Sequence, residues 1–339
     1  MSTQPHATIS IISIGQMGLG IAHFLSTYDY RILTNITGRS PATHARAESA
    51  NITCLPTDAD LVRQSDYIFS IVPPRDAIAT ATRIIDAWKA MQAEGGREKE
   101  GDLYYFDLNA IAPSTARRID GLFAEGAPGV RFVDGGIIGG PPKPGSDIVS
   151  ARDASPWSAW YRPGIPLSGP HLHSGVPESW NRIVDVLNAR MISDTIGTAS
   201  GLKCSFAALS KGFTALALQS HTTAANLGCL EDLGSYLDQY NPSAKEKAEK
   251  SITGCPPKAY RWVEEMNQIG LCFAEDGGWS SEANVFGKVA GVYEELADVV
   301  EKRGGTDGMN ELDGAIKVLQ KGLKEGKIST RKLQEMLAE

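Results

Sequence analysis

Thr8-Ile9-Ser10-Ile11-Ile12-Ser13-Ile14-Gly15-Gln16-Met17-Gly18 is the stretch on which the reading of the fold turns. Its β-branched apolar run predicts a buried strand, and it breaks into glycines that open a helix through Ile21, Ala22, Phe24 and Leu25. In that strand–turn–helix setting a glycine-rich turn brings bare backbone close to a pyrophosphate. The helix N-terminus then meets the phosphate with unpaired N–H groups and a positive dipole end. One residue departs from the G-x-G-x-x-G fingerprint: Ser13 stands where the first glycine belongs.

Outward from this turn, Tyr30 to Thr37 reads as a second strand ending in Gly38-Arg39-Ser40. An NAD-binding chain places an acid about 20 residues past its glycines, to hold the ribose 2′-hydroxyl. No Asp or Glu lies between Tyr30 and Arg46. The guanidinium of Arg39 suits a 2′-phosphate instead, which it can grip bidentately. Ser40 reads as the N-cap before Pro41, a role compatible with phosphate contact. The expected cofactor is therefore NADP(H) rather than NAD(H).

Composition narrows the classes. A chain of 339 residues holds two domains, and its 42% hydrophobic content supports sizeable cores. A formal net charge of −7 with no Lys/Arg block argues against a nucleic-acid partner. The cysteines (Cys54, Cys204, Cys229, Cys255, Cys272) are scattered and odd in number, and they read as reduced core thiols. Nothing before Ile9 reads as a signal peptide, and no apolar stretch reaches membrane-span length. The expected location is cytoplasmic.

Along the chain, strand and helix patterns alternate as in a doubly wound parallel sheet. Expected strands lie at Ile52–Leu55, Tyr67–Val72, Leu103–Asp107, Val130–Ile138, Ile165–Leu167 and Met191–Thr195, with helices between them. The Pro-, Gly- and Trp-rich stretch 139–166 reads first as a packed surface insertion and second as a lid over a cleft. The boundary is expected at Ile196-Gly197, giving an α/β Rossmann-type domain over residues 1–196 and an all-helical domain over 197–339. A proline-free helix over Ala199–Leu227 opens the latter, with Phe206, Leu209, Phe213, Leu216 and Leu218 as a buried spine. Further helices are expected at Ala244–Ile252, Lys258–Ile269 and Ser281–Lys302, with shorter amphipathic turns at Met309–Leu323 and Thr330–Leu337.

Doubly wound sheets bind ligands at the carboxyl ends of their strands. Three segments fall there: Val72-Pro73-Pro74, Asp107 to Pro113 with Asn109 at its centre, and Asp134 to Gly140, where a strand dissolves into exposed backbone. Read singly, each is ordinary turn chemistry. A fourth segment, Gly197 to Lys203, opens the long helix. A lysine one or two turns into a helix can point into a cleft, where desolvation makes it a usable general acid or base. The plainer reading is a snorkelling surface lysine. Lys211, slightly over two turns on, can share that face. His171-x-His173 lacks an obvious third ligand, so no metal is expected.

The order of these segments resembles the 3-hydroxyacid dehydrogenase superfamily, which includes 6-phosphogluconate dehydrogenase and the imine reductases. The likeness runs over almost the whole chain and is closest to a phosphogluconate dehydrogenase-like branch with its own type of C-terminal domain. The resemblance implies that Gly15-Gln16-Met17-Gly18 is the pyrophosphate turn and Gly38-Arg39-Ser40 the 2′-phosphate site. It implies that Asn109, Pro113, Gly139 and Gly140 line the nicotinamide and substrate cleft, and that Lys203 is the catalytic lysine of a G-x(5)-K pattern. It also implies a homodimer through the helical domain.

Two departures bear on the substrate. The family's serine before the paired glycines is Ile138 here, and its asparagine four residues after the lysine is Ala207. Two polar contacts have become apolar, which points to a small, relatively apolar substrate. The leading expectation is an NADP(H)-dependent dehydrogenase or reductase acting on a carbonyl or hydroxyl carbon. Imine reduction on the same scaffold is the alternative, and a non-catalytic NADPH-binding protein is the third.

Overall fold

The computed structural model describes residues 5–97, 99–145, 157, 159–173 and 176–338, the last stretch (326–338) as backbone. The chain divides into two compact units, Met1–Cys204 and Ser205–Glu339.

The first unit holds strands β1 (Thr8–Ile12), β2 (Arg31–Thr34), β3 (Thr53–Cys54), β4 (Tyr67–Ser70), β5 (Leu103–Asp107) and β6 (Val130–Gly135). A separate ribbon, β7 (Lys143–Pro144) with β8 (Trp160–Tyr161), precedes β9 (Ile165–Ser168) and β10 (Ala189–Ser193). Helices α1 (Gln16–Ser26), α2 (Pro41–Ser49), α3 (Asp58–Gln64), α4 (Ala77–Ala93), α5 (Pro113–Gly126) and α6 (Trp180–Val186) lie between the strands. The main sheet runs β10-β9-β6-β5-β4-β1-β2-β3. From β6 to β3 all pairings are parallel, in the strand order of a dinucleotide-binding sheet.

The period of two in the central strands builds a core on each face. Ile9, Ile11, Tyr67, Phe69, Tyr104 and Phe106 join one cluster with Phe24 and Trp180. Their neighbours Ile12, Ile68, Leu103 and Tyr105 join the other, with Ile84, Trp88 and Phe123. Each such burial contributes about 1.5–3 kcal/mol.

The parallel run stops at β6. Strand β9 pairs with it antiparallel, Asp134 opposite Ser168, because the chain leaves β6 through glycines and returns after the ribbon rather than through a crossover helix. Trp160 packs edge-on against His23 and Phe24 of α1, and Trp157 against Tyr28, while the Trp157 indole donates to Asp185 at 2.8 Å. These contacts are those of a packed insertion. Of the stretch read as insertion or lid, residues 146–156 and 158 lie outside the described residues.

Helix α7 (Thr198–Leu227) begins in the first unit and continues into the second, where α8 (Leu230–Tyr240), α9 (Pro242–Gly254), α10 (Ala259–Glu275), α11 (Phe286–Lys302) and α12 (Leu312–Ala338) follow. The expected spine of α7 is corrected. Only Leu218 of that set is buried, whereas Phe206, Leu209 and Leu216 are 49%, 78% and 64% exposed. Most of the buried residues of α7 are small, Ala207, Ala208, Ala215, Ala217 and Ala224 among them, and Leu218 and His221 are the large ones. The terminal amphipathic pattern is one helix, which Gly326 does not end. Helix α8 was not legible, since it contains Gly234 and buries none of its residues.

Candidate functional site

The turn after β1 is built by two opposite uses of small residues. Ser13 sits at φ 72°, the left-handed region where the fingerprint has its first glycine. A Cβ on Gly18 would come within 2.2 Å of the Ser13 carbonyl oxygen, so this glycine is demanded by the fold. Gly15 is different. Its φ is −65° and a Cβ there would meet no protein atom within 4 Å. Nothing inside the protein asks for bare backbone at Gly15, which is the N-cap of α1 and is exposed, as is Gln16. Helix α1 has neither a side-chain cap bond nor an acid in its first turn. A side chain at Gly15 would intrude on the space before the helix N-terminus, the place where turns of this kind hold a pyrophosphate, so the residues present would accommodate a dinucleotide. Met17 is half-buried behind it.

The end of β2 opens onto a cavity of about 310 Å³ lined by Asn35, Thr37, Gly38, Arg39, Asp58 and Arg83. Ser40 is the N-cap residue of α2, but its hydroxyl makes no cap bond and lies 3.1 Å from the Thr43 hydroxyl. Pro41 follows at the first helical turn, which carries no acid. Asp58 and Arg83 were not singled out from the sequence, because α3 and α4 bring them in from afar.

At the ends of β4 and β5, Asn109 is a clamp. It is 2% exposed, accepts from the Val72 amide at 2.6 Å and donates to Ser70 Oγ at 3.0 Å. Its side chain therefore fixes Val72 and the Pro73-Pro74 turn, with Pro73 exposed and Pro74 buried. Asp107 beneath it is fully buried. Its Oδ1 accepts from the Asn109 amide at 3.0 Å, while Oδ2 has no hydrogen-bond partner among the described residues. Burial pushes its carboxyl up to about 7, and Asp134, its cross-strand neighbour, pushes the same way against the Asn109 bonds.

Asp134, at the end of β6, gathers the opening of α7. Its Oδ2 accepts from Ser168 Oγ at 2.7 Å and from the amides of Gly197, Ala199 and Ser200 at 2.9, 3.1 and 3.2 Å. Its Oδ1 accepts from Ser200 Oγ at 2.5 Å. A strand carboxylate thus caps a helix that starts far along the chain, satisfying N–H groups that have no partner inside it. Pro113 packs beside this joint. A Cβ on Gly197, at φ 98°, would meet the Pro113 Cβ at 2.9 Å.

The cap fixes Lys203, which is half-buried. Its Nζ donates to the Ile137 carbonyl, and its stem crosses Gly136, where a Cβ would fall 2.9 Å from the Lys203 Cβ. Ile138 exchanges backbone hydrogen bonds with Gly164, and the Gly140 amide donates to the Tyr161 hydroxyl at 3.1 Å. Gly139 holds φ 124° against that same hydroxyl. The first unit therefore brings the β1 turn, Val72–Pro74, Asn109, Pro113, Ile138–Gly140 and Lys203 to one edge of its sheet, at adjacent strand ends. Gly136, Asp134, Ser168 and Ser200 complete this edge and had not been singled out individually.

Ala207, one turn past Lys203, is buried in the second unit. Lys211 is also in that unit, paired with Glu265, and its ammonium lies 5.4 Å from the Trp262 ring centroid. His173 Nε2 lies 3.0 Å from Asp194 Oδ1. Among the described residues, no three His, Cys, Asp or Glu side chains gather as a metal site, and no helix is long and apolar enough to cross a membrane.

Comparison with known proteins agrees with this architecture. Residues 8–91 match the family described as NADP oxidoreductase, coenzyme F420-dependent, and residues 224–296 match a domain of unknown function, DUF1932. An uncharacterised 28.5 kDa protein from Methanothermus fervidus is 23% identical over 231 residues, 68% of this chain and 76% of its own. A conserved protein of unknown function, described as structurally similar to 3-hydroxyacid dehydrogenases, superposes with TM-score 0.57 at 23% identity over 86% of this chain and 97% of its own. The 3-hydroxyisobutyrate dehydrogenase of Mycobacterium tuberculosis, solved with L-serine, gives TM-score 0.57 at 13% identity over 93% and 98%. The chain thus has the 3-hydroxyacid dehydrogenase fold, with an oxidoreductase-family segment at its N-terminal end and a helical unit matched by a domain of unknown function.

Proposed function

We propose that this protein is an NADP(H)-dependent oxidoreductase acting on a carbonyl or hydroxyl carbon of a small, relatively apolar substrate, with Lys203 as proton donor and acceptor. The observation that carries the reading is Lys203 itself, its stem laid over Gly136 and its Nζ donating to the Ile137 carbonyl at the strand edge. A bound nicotinamide dinucleotide would supply or accept the hydride. The protein's share is to hold the reactants and manage one proton. The Gly15–Gly18 turn would hold the pyrophosphate, Arg39 and Ser40 the 2′-phosphate, and Val72 with Pro73 and Pro74 an apolar wall that Asn109 keeps in place. Lys203 would give its proton to a carbonyl oxygen during reduction and take one from a hydroxyl during oxidation. Pro113, Ile138, Gly139 and Gly140 would shape the substrate's surroundings, Pro113 through the helix opening it packs against.

Ile138 and Ala207 favour a second reading, imine reduction, since an imine is protonated more readily than a ketone and depends less on positioned polar groups. Cofactor turnover on 3-hydroxy acids, aldehydes, ketones and cyclic imines separates the readings. Turnover of cyclic imines alone selects the second. Binding of NADPH with turnover of none of them leaves a non-catalytic NADPH-binding protein.

The helical unit is proposed to pair with a second copy. Phe206, Leu209, Leu216 and Leu227 of α7 are 49–78% exposed, and Leu216 and Leu227 border an apolar groove of about 600 Å³ shared with Leu233 and Tyr236 of α8. A monomer mass by light scattering at micromolar concentration would refute the pairing.

A further inference from the structure

The cavity at the end of β2 holds more charge than Arg39 alone. Asp58 is 13% exposed at its side chain and is held twice, by Arg83 Nε at 2.6 Å and by Asn35 Nδ2 at 2.8 Å. Asn35 in turn accepts from the Thr37 amide at 3.0 Å, which ties the loop to the same carboxylate. The acid is therefore turned inward and engaged. It is not placed to take the ribose 2′-hydroxyl as an NAD-selecting acid does.

Arg83 behaves oppositely. Its side chain is 43% exposed, yet the Nε contact to Asp58 pins the planar guanidinium, whose remaining N–H groups are on the terminal nitrogens. Gly38, at φ 75°, lines the same cavity, and a Cβ there would meet nothing within 4 Å. Two guanidinium groups and one inward carboxylate leave the cavity with a net positive charge. A dianionic phosphate suits it better than a neutral hydroxyl does.

We infer that Arg83 is a second phosphate-binding residue, which lines one cavity with Arg39 and takes the 2′-phosphate of NADP(H) with it. The inference rests on the NADP(H) reading above and adds a residue from α4 that determines the choice of cofactor.

Calorimetric titration of the full chain with NADPH, NADH, 2′-AMP and 5′-AMP tests it. The variants are Arg83→Ala, Arg39→Ala and the double variant Asp58→Ala/Arg83→Ala, which leaves no buried carboxylate without its partner if Arg83→Ala alone fails to fold. Removing Arg83 in either background should weaken NADPH and 2′-AMP by about tenfold or more, as for a lost charge-assisted hydrogen bond. NADH and 5′-AMP should stay within about twofold of wild type. Equal losses for 2′-AMP and 5′-AMP would overturn the inference, because Arg83 would then read the adenosine or the fold. So would an unchanged NADPH affinity in a protein whose NADPH binding still depends on Arg39. A wild-type protein that binds neither dinucleotide, or prefers NADH, would overturn the underlying cofactor reading instead.

Discussion

Two lysines stand on one helix and are held in different ways. Lys203 in the first unit gives its ammonium to the carbonyl of Ile137, whereas Lys211 in the second gives its ammonium to the carboxylate of Glu265 and lies over Trp262. A peptide dipole orients an ammonium, while a buried carboxylate also balances its charge. The acids show a parallel contrast. Asp134 is held by amides and hydroxyls and one oxygen of Asp107 has no partner among the described residues, but Glu265 meets a cation. Asp134 is thus held by neutral donors, whereas Lys211 and Glu265 match charge with charge. The paired charges of Lys211 and Glu265 suit stability, and Lys203 is the lysine proposed to exchange a proton.

The largest test separates the lysines by rate. Lys203→Ala should lower kcat by about 10²–10⁴ on any substrate the enzyme turns over, with NADPH affinity close to wild type. Lys211→Ala should keep kcat per folded molecule. The reverse pattern would mean that the wrong lysine has been assigned.

Stability should reverse the ranking. The side chains of Lys211 and Glu265 are 11% and 14% exposed, so Lys211→Ala strands a nearly buried carboxylate. Urea unfolding should show a loss of about 3–5 kcal/mol. Replacing both partners, Lys211→Met with Glu265→Leu, should recover most of it. A single variant as stable as wild type would erase the distinction drawn here.

Asp107 sharpens the contrast through pH. Its folded carboxyl is raised to about 7, above its unfolded value, so the folded state binds the extra proton below that pH. Stability should then fall as pH rises from about 5 to 8, by roughly 2–3 kcal/mol attributable to this group. Asp107→Asn keeps the acceptor for the Asn109 amide and should remove that component. An unchanged difference between variant and wild type across this window would show that the edge tolerates the charge.

The smallest effect concerns backbone strain. In the second unit the described residues with positive φ are all glycines, whereas the first unit holds Ser13 at φ 72° beside its glycines. Ser13→Gly should stabilise by about 0.5–1 kcal/mol, the left-handed penalty less the entropy cost of glycine. Destabilisation would give the serine side chain a role of its own.

These contrasts separate what local sequence carries from what it does not. The central strands were legible because alternation in Ile9–Ile12 and Tyr67–Ser70 serves two cores at once. Gly15 and Gly18 were legible as a turn, and the structure divides their reasons into outward space and inward packing. The spine of α7 is not legible, because large apolar side chains at helical spacing predict burial, whereas the structure buries mainly its alanines. Asp58 and Arg83 were out of reach, as their pairing joins α3 to α4. The antiparallel β9 gave no local signal, because its direction is set by the return path after β6.

The bond set of Asp134 also has a consequence in time. Its helix donors lie 63 to 66 residues downstream, so a growing chain makes the carboxylate long before its partners exist. Until Ser200 is synthesised, burying Asp134 means burying an acid without its three amides and one of its two hydroxyls. Closing the sheet around Asp134 is therefore expected to be costly until the first turn of α7 has formed. A fragment ended at Ile196 would keep every strand and, of the Asp134 donors, only the Ser168 hydroxyl. The first unit is thus finished by the opening turn of α7, almost the last stretch of chain that it contains.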